Sequence, residues 1–188
     1  KTSEFLKSFV FMSSSEIYGD PDPDYIPTPE SYRGIVSCVG PRSCYDESKR
    51  FGGTLCSYYS QIYDLNISMV RPFDNYGPGL SLTDRRLPAD FAKCIVENKD
   101  LVLYSDGTPT RTFCYIADAV IGYLKVLGNC FNGPINIGSD SGEISVLNMA
   151  KLYKEIAQSK FDYTGEVKFA SSQDSNYLTD NPSRRVPD

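Results

Sequence analysis

Two short apolar runs, "KSFVFMSSS" at residues 7–15 and "NISMVRPF" at residues 66–73, flank one long segment with helical periodicity. Each run is too brief for a core helix and apolar on both faces, which is the pattern of a strand buried inside a parallel sheet. The first closes in small polar residues, and the second is stopped by Pro72 and the turn "NYGPG". Between them Phe51, Leu55, Tyr58, Tyr59 and Ile62 recur at helical spacing, so a helix is expected over residues 44–63. Two parallel strands need a crossover between them, and a helix supplies it. The chain is therefore expected to be α/β.

The alternation continues to the end. "LPADFAKCIVEN" predicts a helix, "LVLY" a strand, and "TRTFCYI" an extended piece after the turn "SDGTP". "ADAVIGYLKVLG" predicts a helix with Gly128 past its end, "PINIG" a strand, and "SVLNMAKLYKEIAQ" a helix. "GEVKFA" reads as a last strand before a polar tail, and the Pro- and Asp-rich "DPDPDYIPTPESYRG" as a loop. In open sheets of this kind ligands collect at the C-terminal ends of the strands. Residues 13–16 and 72–76 both fall there.

Composition narrows the function. A chain of 188 residues can bury one sizeable core, or one core and a small annex. The net charge of −5 argues against nucleic acid as a partner, since a phosphate backbone is held by an excess of Lys and Arg. No apolar run approaches the ~18–20 residues that span a bilayer, and the opening "KTSEFLKSFVFMSSS" does not read as a signal peptide. The six cysteines, at 38, 44, 56, 94, 114 and 130, form no CxxC pair. They read as reduced thiols of a cytoplasmic protein, with Cys56 and Cys94 inside apolar-periodic segments. The chain has no histidine, so a zinc site is not expected and no metal is assigned.

Without histidine, acid–base chemistry must come from other groups. "GPRSCYDESKRFGG", residues 40–53, places Tyr45 four residues before Lys49, on one face of the expected helix. A phenol ionising near ~10 is a poor base at neutral pH, but an ammonium group a few ångströms away stabilises the phenolate. The pair could then take a proton from an alcohol. By itself the spacing also fits an ordinary amphipathic helix. Its place between two strand ends, one carrying serines and the other "RPFDNYGPG", gives it weight.

"FVFMSSSEIYGD", "YDESK", "RPFDNYGPG", "GTPTRTFCYIADA" and "INIG" occur in this order. The set resembles the extended short-chain dehydrogenase/reductases that process nucleotide sugars, from about residue 8 to the closing "DNPSRRVPD". "GPRSCYDESKR" is most similar to the UDP-glucuronate decarboxylases. The resemblance implies the later part of a Rossmann-type parallel sheet plus a small substrate-binding α/β domain. Residues 1–73 and 112–138 would belong to the dinucleotide-binding domain, and 74–111 and 139–188 to the nucleotide-sugar domain. It implies NAD as cofactor, a UDP-sugar as substrate and a homodimer formed through the helix at 44–63. The glycine-rich turn that cradles a pyrophosphate is absent, since "YGPG" and "KRFGG" have the wrong spacing. The chain is thus expected to be part of a longer fold and to bind NAD weakly alone.

Residue by residue, the resemblance makes Tyr45 the base, with Lys49 on the nicotinamide ribose, Ser14 on the reacting hydroxyl and Glu16 an active-site carboxylate. Ser13 and Pro72 would line the cofactor. Ser15, Asp74, Asn75, Tyr104, Arg111 and Arg185 would meet the substrate. Ser15 stands where 4,6-dehydratases carry an aspartic acid, and a hydroxyl is too weak an acid to expel water. Decarboxylation is therefore expected ahead of 4-epimerisation or 4,6-dehydration, with a non-catalytic nucleotide-sugar-binding remnant as the alternative of another class. Asp74 replaces the family's usual asparagine near the sugar diphosphate, where a carboxylate would repel phosphate and Asn75 would have to compensate. Arg111 suits a diphosphate, or else a structural pair with Asp118.

Overall fold

The computed structural model describes residues 6–172 and 181–188. The opening "KTSEF" and residues 173–180 of the polar tail lie outside the described residues. The architecture is α/β, with its main sheet ordered β1–β2–β7 and all parallel. β1 spans Phe9–Met12, β2 Ile67–Pro72 and β7 Gly133–Ile137. The crossover from β1 to β2 is α1 (Ser43–Tyr63), within a residue of the expected start.

Register decides which helix covers which face. Phe11 pairs laterally with Met69, and Met69 with Pro134, so these three share one face. α1 packs there: a Cβ on Gly52 would stand 2.3 Å from Phe11 Cζ, so only glycine lets the helix approach this closely. Ile137 lies three residues beyond Pro134 and points to the other face. Gly122 of α3 (Ile116–Gly128) sits against it. The sheet is thus sandwiched between two helices. Gly128 is the last residue of α3, and Asn129 caps it by donating its N–H to Leu127 O and Lys125 O, a small shift from the expected end.

The remaining elements build a second unit. α2 (Leu87–Val96) and α4 (Val146–Lys160) pack on β4 (Leu101–Leu103), which pairs in parallel with β9 (Val167–Phe169). Leu101 and Leu103 are fully buried among Phe91, Met149, Ala150 and Tyr163. Each such leucine contributes about 1.5–3 kcal/mol of transfer free energy. β3 (Asn75–Tyr76) pairs with β6 (Cys114–Tyr115), and both lie against α3.

The tail holds structure that its sequence does not announce. β10 (Arg184–Arg185) pairs in parallel with β5 (Thr110–Arg111), whose other edge takes β8 (Ile144–Ser145) antiparallel. Strands of two residues are too short to show any periodicity. Around them Thr28 exchanges backbone hydrogen bonds with Val186 and Asp188, and Ser183 N–H donates to Asp20 Oδ1 at 3.1 Å. Residues 181–188 are thereby fastened over the loop that follows β1. That loop is tied to the sheet in turn. Arg71 donates to the Tyr18 hydroxyl and to Glu30 O, and Tyr18 donates to Asn136 Oδ1 at 2.8 Å.

Candidate active site

β1 runs into three buried serines. Ser13 N–H donates to Val70 O at 2.8 Å, which keeps the first serine in the sheet's register. Ser14 then caps a single 3-10 turn, Ser15–Tyr18, by accepting the Glu16 N–H on its Oγ at 3.2 Å. With that lone pair occupied, the Ser14 O–H is left as a donor. Gly19 closes the turn at φ 66°, where a Cβ would collide with Ile35 O at 1.7 Å.

Tyr45 lies in the first turn of α1 and Lys49 one turn later. Lys49 Nζ is 5.6 Å from the centre of the Tyr45 ring and 5.9 Å from that of Phe11. It donates to Met12 O at 2.9 Å, so the helix ammonium is anchored on the strand end that leads into the serines. Two N–H donors of the ammonium remain. Tyr45 is 48% exposed, and its hydroxyl has no hydrogen-bond partner among the described residues. An open phenol and an ammonium with spare donors, at the C-terminal edge of parallel strands, are groups that suit ribose or sugar hydroxyls. Ser13 and Lys49 also line a groove of about 560 Å³ that runs along α1 past Thr54 and Arg71.

Glu16, Asp74, Arg42 and Arg185 make a different kind of cluster. Glu16 Oε2 stands 2.7 Å from Arg42 Nη2 in an ion pair and accepts a hydrogen bond from Arg185 Nη2 at 2.8 Å. Burial pushes the Glu16 carboxyl up, but Arg185 and Arg42 outweigh it and hold the group below the ordinary carboxylate range. Arg185 is buried, which by itself disfavours its charge; Asp74 and Glu16 overcome this and raise its pKa above the usual value. Asp74 Oδ1 stands 3.5 Å from Arg185 Nη1. Asp74 therefore faces a cation, and the repulsion of phosphate expected from the sequence is offset by Arg185. Asp74 has φ 32°, a left-handed conformation that aspartate tolerates better than most residues, and its Oδ2 is buried without a partner.

The other candidates scatter. Asn75 donates through Nδ2 to the Tyr123 hydroxyl, while its Oδ1 is buried and unpartnered. It lines a cavity of about 390 Å³ together with Gly77, Gly79, Leu80 and Arg86. Pro72 ends β2 beside Ile137, and Ser15 is buried in the 3-10 turn. Tyr104 follows β4, in the unit built on α2 and α4. Arg111 is buried and has no bond to Asp118. It donates to Thr110 O, to Asn181 Oδ1 at 3.1 Å and to Pro182 O at 2.6 Å, so it holds the tail. Burial and the neighbouring Arg185 bring its pKa down to about 10. Arg42 and Arg86 escaped the sequence reading. Arg42 had a signal, three residues ahead of Tyr45 in "GPRSCY"; Arg86 in "TDRRLP" had none.

Residues 3–138 match the model of the NAD dependent epimerase/dehydratase family. Over 179 residues the chain is 36% identical to UDP-glucuronic acid decarboxylase 5 of Arabidopsis thaliana, covering 95% of this chain and 49% of that protein. It is 34% identical to UDP-glucuronic acid decarboxylase 1 of Xenopus tropicalis, covering 95% of this chain and 40% of that one. The chain thus spans about half the length, or less, of these relatives. Among solved structures, UDP-glucose 4-epimerase of Thermotoga maritima with UDP-glucose superposes at a TM-score of 0.81, with 21% identity, over all of this chain and 56% of the other. UDP-glucuronic acid 4-epimerase of Bacillus cereus, in complex with UDP-glucuronic acid and NAD, gives 0.74 at 26% identity over 97% of this chain and 53% of that one. The likeness to the solved structures is one of fold, and by the family model and the 36% identical relative the chain belongs to the NAD-dependent epimerase/dehydratase family.

Proposed function

We propose that this chain carries the catalytic residues of an NAD-dependent nucleotide-sugar enzyme that decarboxylates UDP-glucuronate to UDP-xylose through transient oxidation at C4. The observation that carries the reading is the open Tyr45 hydroxyl beside Lys49, at the strand end where Ser14 has a free O–H. Tyr45, as the phenolate that Lys49 stabilises, takes the proton of the sugar C4 hydroxyl and becomes the phenol, while Ser14 donates to the reacting oxygen. A ketone at C4 is β to the C6 carboxylate, so carbon dioxide can leave with the ketone as electron sink. NAD, when bound, supplies the hydride acceptor and returns the hydride, so the cycle is redox-neutral. Tyr45, Lys49, Ser13 and Pro72 fit its nicotinamide-ribose end, with an open hydroxyl and spare N–H donors at the strand edge.

Ser15 favours decarboxylation over 4,6-dehydration, because a buried hydroxyl is a poor acid for expelling water. The family also contains 4-epimerases, whose chemistry shares the C4 oxidation, and a 4-epimerase is the second reading. For substrate contacts, Asn75 has a place on the cavity beside Arg86. Asp74 and Arg185 act as a paired unit, and Arg111 acts through the tail. Pairing of the whole protein with a second copy through α1 is part of the same reading. Phe51, Leu55, Tyr59 and Ile62 form one exposed apolar stripe there.

The test is product analysis with the whole protein, NAD and UDP-glucuronate. Release of carbon dioxide with a UDP-pentose supports the proposal. A 4-keto-6-deoxy sugar, an epimer with C6 retained, or binding without turnover each overturns it in favour of a named alternative. No helix among the described residues is long and apolar enough to cross a membrane, so nothing in them obstructs an assay in free solution.

A further inference from the structure

α1 begins without a side-chain cap, after the loop "CVGPR". The residue whose carbonyl starts the helix ladder, Arg42, also reaches the strand end. Arg42 O accepts from Tyr45 N at 3.0 Å and from Asp46 N at 3.1 Å. The guanidinium of the same residue grips Glu16 Oε2 at 2.7 Å, and Glu16 N–H donates to Ser14 Oγ. Arg42 therefore links Tyr45, Glu16 and Ser14 in three steps. Both guanidiniums on Glu16 use the same oxygen, Oε2, and Oε1 has no partner among the described residues. The charged groups around Glu16 are Arg42 ahead of α1, Arg185 on β10 and Arg111 on β5, with Asp74 behind Arg185.

We propose that Arg42 is a positioning residue, coupling Glu16 to the turn that carries Tyr45 and leaving Glu16 Oε1 as a fixed acceptor for a hydroxyl of the bound nucleotide sugar. The acceptor role rests on the function proposed above; the coupling does not. At 2.7 Å the Arg42–Glu16 contact is a close ion pair, held by the attraction of opposite charges. Lysine keeps the charge but loses the fork, so it replaces arginine only in part.

The experiment is a carbon-13 titration of the Glu16 carboxyl in the whole protein, assigned with Glu16→Gln, combined with amide hydrogen exchange at Tyr45 and Asp46. Glu16 is expected to titrate below the ordinary carboxylate range in the wild type. It should move up in Arg42→Ala and return part of the way in Arg42→Lys. Exchange at the two amides should speed up about tenfold in Arg42→Ala. If the titration is the same in wild type and Arg42→Ala, or the amides exchange at wild-type rates, the coupling is wrong. Arg42→Gln carries the same comparison should the alanine variant not fold. These readouts need no turnover, so an inactive protein leaves them intact. In an active one, kcat should fall about 10²-fold in Arg42→Ala, as expected when a reacting group is misplaced by about an ångström. An unchanged kcat beside a shifted titration removes the acceptor role alone.

Discussion

Tyr45 with Lys49, and Glu16 with Arg42, Arg185 and Asp74, lie on the same strand ends and differ in almost every physical respect. The first pair is half-open: one hydrogen bond, Lys49 Nζ to Met12 O, fixes the ammonium, and the phenol hydroxyl is left unengaged. The second group is closed. Its carboxylates are engaged with guanidiniums, one guanidinium is fully interior, and the tail lies over it. Groups that exchange protons with a ligand must be reachable and incompletely satisfied. Groups that shape a site do so by being held in place: Glu16 Oε2 and Asp74 Oδ1 are taken by guanidiniums, while Glu16 Oε1 and Asp74 Oδ2 are left over among the described residues. Both sets contain residues of the reactive type; in the function proposed above the open pair reacts and the closed one holds.

That contrast can be broken by experiment. The largest effect is expected at the open pair: Tyr45→Phe should lower turnover by about 10²–10⁴-fold, the range for loss of a general base. Its denaturation midpoint should hardly move, since no hydrogen bond is lost. A Tyr45→Phe protein that is active but unstable would invert the comparison. At the closed cluster, Arg185→Met should cost up to about 3–5 kcal/mol of stability, because half-buried Asp74 is left without its cation and half-buried Glu16 keeps only Arg42. Urea unfolding measures it, and a cost below about 1 kcal/mol would place the cluster in solvent.

A smaller, pH-dependent effect follows from Glu16. Its folded pKa is lowered, so its contribution to stability is fully present above the unfolded value, near ~4.3. It is lost as pH falls below that value and through the lower folded one. The stability difference between wild type and Glu16→Gln should accordingly be widest near neutrality and shrink on acidification. A difference independent of pH would mean that Glu16 is not held as an anion.

Much of this was legible beforehand, for identifiable reasons. "FVFM", "ISMVRP" and the stripe from Phe51 to Ile62 are long enough for periodicity to be read, and they gave the parallel sheet and its crossover helix. Tyr45 and Lys49 are four residues apart on that helix, so their shared face followed from helical geometry alone. The tail was read only as polar, with no strand in it, because Arg184 and Arg185 carry no strand signal. Arg185 is interior only because Glu16 and Asp74, 169 and 111 residues away in the chain, supply counter-charges. Arg111 was expected to face a diphosphate or to pair with Asp118, and nothing local in "TRTF" reveals that it would donate to Asn181 and Pro182.

The sequence by itself determined what is encoded over a few turns or a few residues: the order of strands and helices, the edge where polar groups gather, and the pairing of a phenol with an ammonium. Tertiary structure alone decided which charges are sealed and which stay open. Burial and ion pairing depend on groups brought together across more than a hundred residues, and the free energy of a charge is set by those neighbours rather than by its own residue type.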